Sequence, residues 1–334
     1  MMHKAGILGV GKAVPKRVVT NADLEEMVDT SSTWIIDRTG IQERRIAAND
    51  EATSDIATRA ARIALVKAGV NPIDIDLIIV ATVTPDMVFP ATACLVQANL
   101  GATKAAAFDL SAGCSGFIYA LDMAARVVQS GAYQRVLVIG ADLLSRVTDW
   151  TDRSTCVLFG DGAGACVVGR VNSGGILATY LGADGNGGNK LMLPAGGSRN
   201  PTSEITFQKK MHYIHMAGNE VFRFAVKIMG EAAHEVLVRA NLQPSDIDLF
   251  IPHQANIRII DAAARRLALP SDKVFINVHK YGNTSAASIP IAIAEAVDEG
   301  RIQPGKRVVL VGFGAGLTWG AIALEWSADE GKIA

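Results

Sequence analysis

The chain has 334 residues, of which 49% are hydrophobic and 19% charged, and its formal net charge is −1. That length suits two domains of ordinary size, and the composition buries a large core with apolar surface left over for a partner subunit. The near-zero charge excludes whole-molecule attraction to nucleic acid or to an acidic membrane, so any anionic partner must meet a local patch.

The start, Met1-Met-His-Lys-Ala-Gly6, lacks the apolar stretch and small-residue cleavage site of a secretion signal. No stretch approaches the ~20 apolar residues that cross a bilayer, so a cytoplasmic location is expected. Gly9-Val-Gly-Lys-Ala-Val14 fails the dinucleotide fingerprint, with Val where the third Gly belongs. Helix and strand patterns then alternate along the chain. A helix is predicted over residues 53–68, strands over 77–82 and 105–110, a helix over 115–130 and a strand over 135–139. In the second half come a helix over 220–240, a strand over 249–252, a helix over 257–267, a strand over 274–277, a helix over 286–299 and a strand over 307–311. Such alternation predicts an α/β architecture with largely buried sheets.

A repeat organises these elements. Leu65-Val-Lys-Ala-Gly-Val-Asn-Pro-Ile-Asp-Ile-Asp-Leu77 matches Leu237-Val-Arg-Ala-Asn-Leu-Gln-Pro-Ser-Asp-Ile-Asp-Leu249, and Arg135-Val-Leu-Val-Ile-Gly140 matches Arg307-Val-Val-Leu-Val-Gly312. Both matches lie 172 residues apart, with room for a small compensating insertion between them. The chain therefore reads as two similar halves, 1–172 and 173–334, packed pseudo-symmetrically. The same offset sets Ser111-Ala-Gly-Cys114 opposite Asn283-Thr-Ser-Ala286. Both are turns from a strand into a helix, where active sites of open α/β sheets lie, so the two turns are expected to face one cavity.

Four cysteines, Cys94, Cys114, Cys156 and Cys166, sit at irregular spacing that fits neither a disulfide framework nor a metal site, and reduced thiols are expected. Cys94, Cys156 and Cys166 have neighbours that read as ordinary core. Cys114 instead follows a strand and opens a helix, whose macrodipole lowers a thiol pKa and favours a nucleophile. His253 follows the strand ending at Pro252 and precedes a helix, a better place for chemistry than His279, its main rival. Asn283 suits an ordinary turn or helix cap, and only its register with Cys114 marks it. Val311-Gly-Phe-Gly-Ala-Gly-Leu-Thr-Trp-Gly320 is a third glycine-rich turn, without a phosphate-cradle spacing. The backbone N–H of Ala315 in it suits an oxyanion donor, worth ~3–4 kcal/mol of transition-state stabilisation. No cluster of His, Cys and carboxylates has metal-ligand spacing, so neither metal nor cofactor is expected.

Six segments together resemble the thiolase-fold condensing enzymes over essentially the whole chain, and within them the β-ketoacyl-acyl-carrier-protein synthase III family. They are Trp34–Ile41, Ala112–Phe117, Phe159–Gly164, Pro252–Arg258, Gly282–Ala286 and Gly312–Gly316. The resemblance implies a five-layer αβαβα fold from two duplicated halves, a homodimer, and condensation of an acyl-CoA primer with malonyl-acyl carrier protein that starts fatty acid synthesis. It implies that Cys114 carries the acyl group, that the N–H groups of Cys114 and Ala315 hold the oxyanion, and that His253 and Asn283 bind the malonyl thioester carbonyl. Neutral donors suit this step, because loss of CO₂ creates the carbanion without any base. It further implies that Thr30, Trp34, Arg38, Arg153, Phe159, Asn219, Phe222, Asn256 and Arg258 line the coenzyme A tunnel, and that Phe89 walls the partner's acyl pocket. Carrier protein is acidic, and its expected dock comprises Gln254, Ala255, Asn256, Ile257 and Arg258 with Arg223, Arg265 and Arg266. Ser32-Thr33, where relatives often carry Asp-Glu, and Gly-Ala-Gly in the last loop depart from the pattern without removing a catalytic side chain.

A thiolase would need a second cysteine in the last glycine loop, and chain-elongating synthases use two histidines. Plant-type polyketide synthases carry Pro at the place of Ala315. The surviving alternatives are a starter-unit ketosynthase of a secondary pathway and a non-catalytic thiolase-fold binding protein.

Overall fold

The computed structural model describes residues 3–327; residues 1–2 and 328–334, the outer ends of the two halves, lie outside the described residues. Strands β1 (Lys4–Ala13), β2 (Leu77–Ala81), β3 (Ala106–Leu110), β4 (Arg135–Leu143) and β5 (Asp161–Val171) form one sheet in the order β1-β5-β4-β2-β3. Strands β6 (Gly175–Ala183), β7 (Leu249–Pro252), β8 (Arg307–Gly314) and β9 (Thr318–Glu325) form a second, in the order β7-β8-β9-β6. The pairing senses repeat. β2 runs parallel to β4 as β7 does to β8, and the next two pairings outward are antiparallel in both sheets.

The halves differ at one edge. β3 lies parallel to β2, with Ile78 opposite Ala107, whereas β7 meets only an isolated bridge from Phe250 to Val274. The strand expected over 274–277 is therefore absent. The chain turns instead into a one-turn helix, Val278–Tyr281, because Gln254 Oε1 accepts from both Asn277 N and Val278 N and takes the donors a strand would use. Ile78 and Phe250 are 172 residues apart, but Ala107 and Val274 only 167, and Ser111 and Asn283 are again 172 apart. The compensating insertion lies in this stretch.

The principal helices are α1 (Ser32–Thr39), α2 (Thr53–Ala68), α3 (Thr92–Leu100), α4 (Gly116–Gln129), α5 (Gly218–Ala240), α6 (Ile257–Arg266) and α7 (Ser288–Asp298). Helix α2 buries Ile56, Ala57, Ala60, Ala61 and Ala64 on one stripe against Leu137, Ile139 and Val167, and Gly69, left-handed at φ 63°, ends it. Helices α4 and α7 pack between the sheets, where Phe117, Leu121, Ile289 and Ile293 meet Val138, Ile251 and Leu310. Helices α5 and α6 cover the far face of the second sheet. The result is five layers, α–β–α–β–α, as the resemblance implies. Ile78, Ile79 and Val80 are all fully buried because both faces of their sheet are covered, which is why these strands read as continuous apolar runs. Burying each such side chain contributes about 1.5–3 kcal/mol.

Cys156 and Cys166 are buried as expected, but Cys94 is exposed on α3, because its thiol reaches only the outermost strand β3, 3.9 Å from Ala107 O.

Candidate active site

The one-turn helix Gly113–Ser115 between β3 and α4 carries Cys114. It is clamped by the β8–β9 turn: a Cβ at Gly314 would lie 2.3 Å from Cys114 N, and one at Gly113 2.6 Å from Ala315 N. Only glycine lets the two backbones meet so closely. The Thr318 hydroxyl fastens the contact, 2.8 Å from both the Ala112 carbonyl and the Ser115 hydroxyl. The Ala315 backbone thus abuts the nucleophile's turn.

The matching turn in the second half leads from Asn283 into α7. Asn283 N donates to Leu158 O at 2.8 Å, and Asn283 O accepts from Gly160 N at 3.0 Å, which fixes its backbone around Phe159. Its Oδ1 accepts from Ser285 N at 2.9 Å, leaving the amide NH₂ as the free donor end. Ser285 stands at φ 51°, where its counterpart Gly113 stands at φ 55°. A serine held in that left-handed region costs about 1–2 kcal/mol. Its hydroxyl lies beside the Cys114 thiol and eases the thiol's pKa downward, although it makes no hydrogen bond of good geometry among the described residues.

Two further groups complete the hub. Asp142, fully buried at the end of β4, accepts from Val83 N at 2.8 Å and the Thr84 hydroxyl at 3.0 Å on Oδ1, and from Ala286 N at 3.1 Å on Oδ2. Burial raises its pKa while these donors oppose the rise. His253, 1% exposed, donates its backbone N–H to Val311 O at 2.7 Å, and its Nδ1 lies 2.6 Å from Ser288 Oγ. Its ring stands edge-on to Phe313, with centroids 5.5 Å apart, and its Nε2 has no hydrogen-bond partner among the described residues. Residues 283–288 thus touch every group: Ser285 meets Cys114, Ala286 meets Asp142, and Ser288 meets His253. His279 sits apart on the one-turn helix, where its carbonyl accepts from Gln42 N.

The electrostatics correct one expectation. The macrodipole argument lowers the Cys114 pKa, but burial dominates and pushes it up to about 12, with Asp142 adding to the rise. The resting sulfur is a thiol. Burial also holds His253 down to about 3, so its imidazole is neutral throughout the working range.

The other candidate residues form two surface groups. Trp34 on α1 has two guanidinium groups near its ring, Arg153 at 4.7 Å and Arg38 at 5.9 Å from the centroid. The Thr30 hydroxyl nearby in sequence is buried without a partner among the described residues. Phe159 is buried beneath Asn283, and Asn219 is exposed at the start of α5. Asn256 uses its amide structurally, capping α6 through Arg258 N and donating to Arg38 O at 2.9 Å. Arg258 stacks on Phe222 at 5.1 Å, and with Val226, Asp261, Ala262 and Arg265 these two line a groove of about 430 Å³. Arg223 is exposed on neighbouring α5, while Ala255 and Ile257 are half-buried.

One docking candidate needs correction, and a second, still exposed, makes local contacts. Gln254 is 1% exposed and spends its side chain internally, donating to Pro252 O and Phe275 O, so no partner reaches it. Arg266 turns back onto α5, to Lys227 O at 3.3 Å and Glu231 at 3.4 Å. Phe89 is 80% exposed beside Val88, and Phe108 on the outermost strand β3 is also exposed.

Sequence reasoning passed over Asp142, Ser285 and Ser288. Asp142 did leave a signal, a lone carboxylate closing the apolar run Val136–Ala141, since a buried charge needs partners. The two serines left none, because small hydroxyl residues are ordinary in turns.

Two family models match the chain: 3-oxoacyl-[acyl-carrier-protein] synthase III over residues 108–185, and its C-terminal part over residues 237–326. A β-ketoacyl-[acyl-carrier-protein] synthase III of Caldanaerobacter subterraneus subsp. tengcongensis is 61% identical, covering 97% of this chain and 98% of its own. The crystal structure of 3-oxoacyl-[acyl-carrier-protein] synthase III from Aquifex aeolicus superposes with a TM-score of 0.90 at 51% identity, covering 96% of this chain and 100% of that one. The priming β-ketosynthase of the R1128 polyketide pathway superposes at 0.91 with 38% identity, covering 98% and 97%.

Proposed function

The chain belongs to the 3-oxoacyl-[acyl-carrier-protein] synthase III family of condensing acyltransferases, and from that premise we propose that Cys114, His253 and Asn283 divide its two half-reactions between them. In the first, Cys114 Sγ attacks the thioester carbonyl of an acyl-CoA. The bond to the coenzyme A sulfur breaks, and the thiol proton leaves with that sulfur. The N–H groups of Cys114 and Ala315 hold the oxyanion. In the second, malonyl-acyl carrier protein loses CO₂, and the electrons of the broken bond form an enolate held by His253 and the Asn283 amide. Its carbon attacks the acyl thioester, a carbon–carbon bond forms, and Cys114 departs and recovers a proton from solvent. No cofactor is required, since coenzyme A enters as part of a substrate.

The observation that carries this reading is His253: a neutral, buried imidazole whose Nε2 lacks a partner among the described residues, held through Ser288 by the same turn whose Ser285 touches the Cys114 thiol. A thioester oxygen is the acceptor it lacks. Trp34 with Arg38 and Arg153 supports recognition of a flat base and anionic phosphates at the entrance, and the Thr30 hydroxyl is free to join them. Arg223, Arg258 and Arg265 beside the α5–α6 groove suit an acidic carrier protein. The outermost strand β3, with exposed Val88, Phe89 and Phe108 near it, supports pairing with a second copy in a homodimer. We read residues 1–172 as the half supplying the nucleophile and 173–334 as the half supplying the donor pair. Among the described residues no helix is long and apolar enough to cross a membrane, and we place the enzyme in the cytoplasm.

Intact-mass measurement after incubation with a panel of acyl-CoAs tests the proposal. A mass gain equal to the acyl group, absent in Cys114→Ser, is expected, and the acyl group taken up fastest identifies the primer. An acetyl or short branched primer supports the initiating step of fatty acid synthesis. Exclusive use of an unusual starter favours the secondary-pathway alternative suggested by the priming β-ketosynthase. No adduct with any acyl-CoA would leave a binding protein.

A further inference from the structure

We propose that Ser288 is a positioning residue that locks His253 in the tautomer carrying its proton on Nε2. The inference deepens the reading of His253 as donor to the malonyl thioester and rests on it. Ser288 Oγ has two neighbours: His253 Nδ1 at 2.6 Å and the backbone N–H of Gln254 at 3.3 Å. A backbone N–H only donates, so Ser288 Oγ accepts from Gln254 with one lone pair.

Two assignments then remain for the imidazole. If Nδ1 carried the proton, Ser288 would accept twice, and its own O–H would face no acceptor among the described residues at a site 3% exposed. If Ser288 donates to Nδ1, every group on this side of the ring is satisfied. Only the second assignment leaves no buried orphan there, and it puts the ring's proton on Nε2, the atom that lacks a partner among the described residues.

The surroundings make the assignment rigid. Gln254, whose N–H orients Ser288, is saturated: its amide donates to Pro252 O at 2.8 Å and Phe275 O at 3.1 Å, and its Oε1 accepts from Asn277 N at 2.9 Å and Val278 N at 3.2 Å. Ser288 opens α7, packed in the middle layer of the fold. The consequence is chemical. With its proton on Nε2, His253 cannot take the Cys114 proton as a base and can only donate toward the substrate. The serine thereby assigns the imidazole to the decarboxylation half-reaction.

Histidine-selective ¹⁵N labelling of the full-length enzyme tests this directly, since the chain has only six histidines. The His253 signals, assigned by their loss in His253→Gln, are expected to show an unprotonated Nδ1 and a protonated Nε2. A protonated Nδ1 in the wild-type enzyme overturns the proposal. Ser288→Ala is expected to alter that signature and to slow decarboxylation of malonyl-acyl carrier protein by ~100-fold, the scale of losing one preorganised donor. Cys114 acylation should suffer far less, and Ser288→Thr, which keeps the hydroxyl, should recover most of the loss. Equal damage to both half-reactions, or undiminished decarboxylation in Ser288→Ala, also overturns it. Should Ser288→Ala fail to fold, the wild-type spectrum decides alone. The spectrum is independent of the acylation test above, so failure of either is distinguishable from failure of the other.

Discussion

Replacing Gly314 by alanine tests the contact on which the nucleophile's geometry depends. A Cβ there would stand 2.3 Å from Cys114 N, 3.0 Å from Gly113 C and 3.1 Å from Cys114 Cα, all backbone atoms. Non-bonded atoms of this kind rest ~3.5 Å apart, so the β8–β9 turn and the cysteine turn must separate by about 1 Å. The two oxyanion donors proposed above, Cys114 N and Ala315 N, stand on opposite sides of that contact. A displacement of ~1 Å between reacting groups lowers rates by ~100-fold, and overpacking a tight contact destabilises a fold by about 1–3 kcal/mol. Gly314→Ala should therefore acylate Cys114 ~100-fold more slowly than wild type in rapid-quench mass measurements at saturating acyl-CoA, with a lowered Tm. Gly185→Ala serves as control, since a Cβ there meets nothing within 4 Å, and it should match wild type in both respects. A Gly314→Ala enzyme with wild-type acylation rate and Tm would show that the two turns are not in contact as described, and the oxyanion assignment would fall with them.

Three other expectations follow from the same geometry. Because burial pushes the Cys114 thiol up to about 12, its alkylation by iodoacetamide should still be accelerating at about pH 10; a plateau near neutrality would show a depressed thiol pKa instead. His253 is held near 3 in the fold but titrates at ~6.5 when unfolded. The unfolded chain therefore binds a proton that the folded chain refuses. This contribution to stability is full above pH ~6.5 and is lost as pH falls toward 3. Denaturant titrations should show about 2 kcal/mol lost from this source between pH 7 and pH 5, and His253→Gln should lack that share; parallel curves for the two proteins would contradict the burial argument. Arg265→Glu, on the groove but free of the Phe222 stacking that engages Arg258, should raise KM for malonyl-acyl carrier protein ~10-fold while leaving acylation by acyl-CoA intact. Identical kinetics with carrier-bound substrate would remove the groove as a dock.

Much of this architecture is written in local pattern. Helix α2 begins and ends where its apolar period begins and ends, and the repeat at 172 residues already places Gly113 opposite Ser285 before any coordinates are known. Cys114 and His253 were legible because both follow strands and precede helices. The failures share a cause: each depends on which way one side chain points after packing. Gln254 reads as a polar loop residue, but its amide is drawn inward by the carbonyl of Phe275, from another segment, together with that of Pro252. Cys94 has core-like neighbours, yet the strand its thiol reaches, β3, is the outermost of its sheet and leaves the thiol exposed, which sequence period does not reveal. The Cys114 pKa went the other way from the helix argument because a macrodipole acts over one turn, while desolvation scales with everything packed around the sulfur. Val274–Ile276 has the composition of a strand, and only the competing amide of Gln254 turns its end into a helix.

The unequal edges of the two sheets limit how copies of this chain can add to one another. Repeated halves, each with a bare flank, would present two mutually compatible ends, and such ends permit growth without limit. Here the second half has shortened its last strand to a single bridging residue, Val274, and turned the following stretch into a one-turn helix, while the first half keeps β3 outermost. A molecule with one sticky side is sated by one neighbour. In the homodimer proposed above, the truncation would act as a chain terminator, leaving the β3 flank alone to take a second copy.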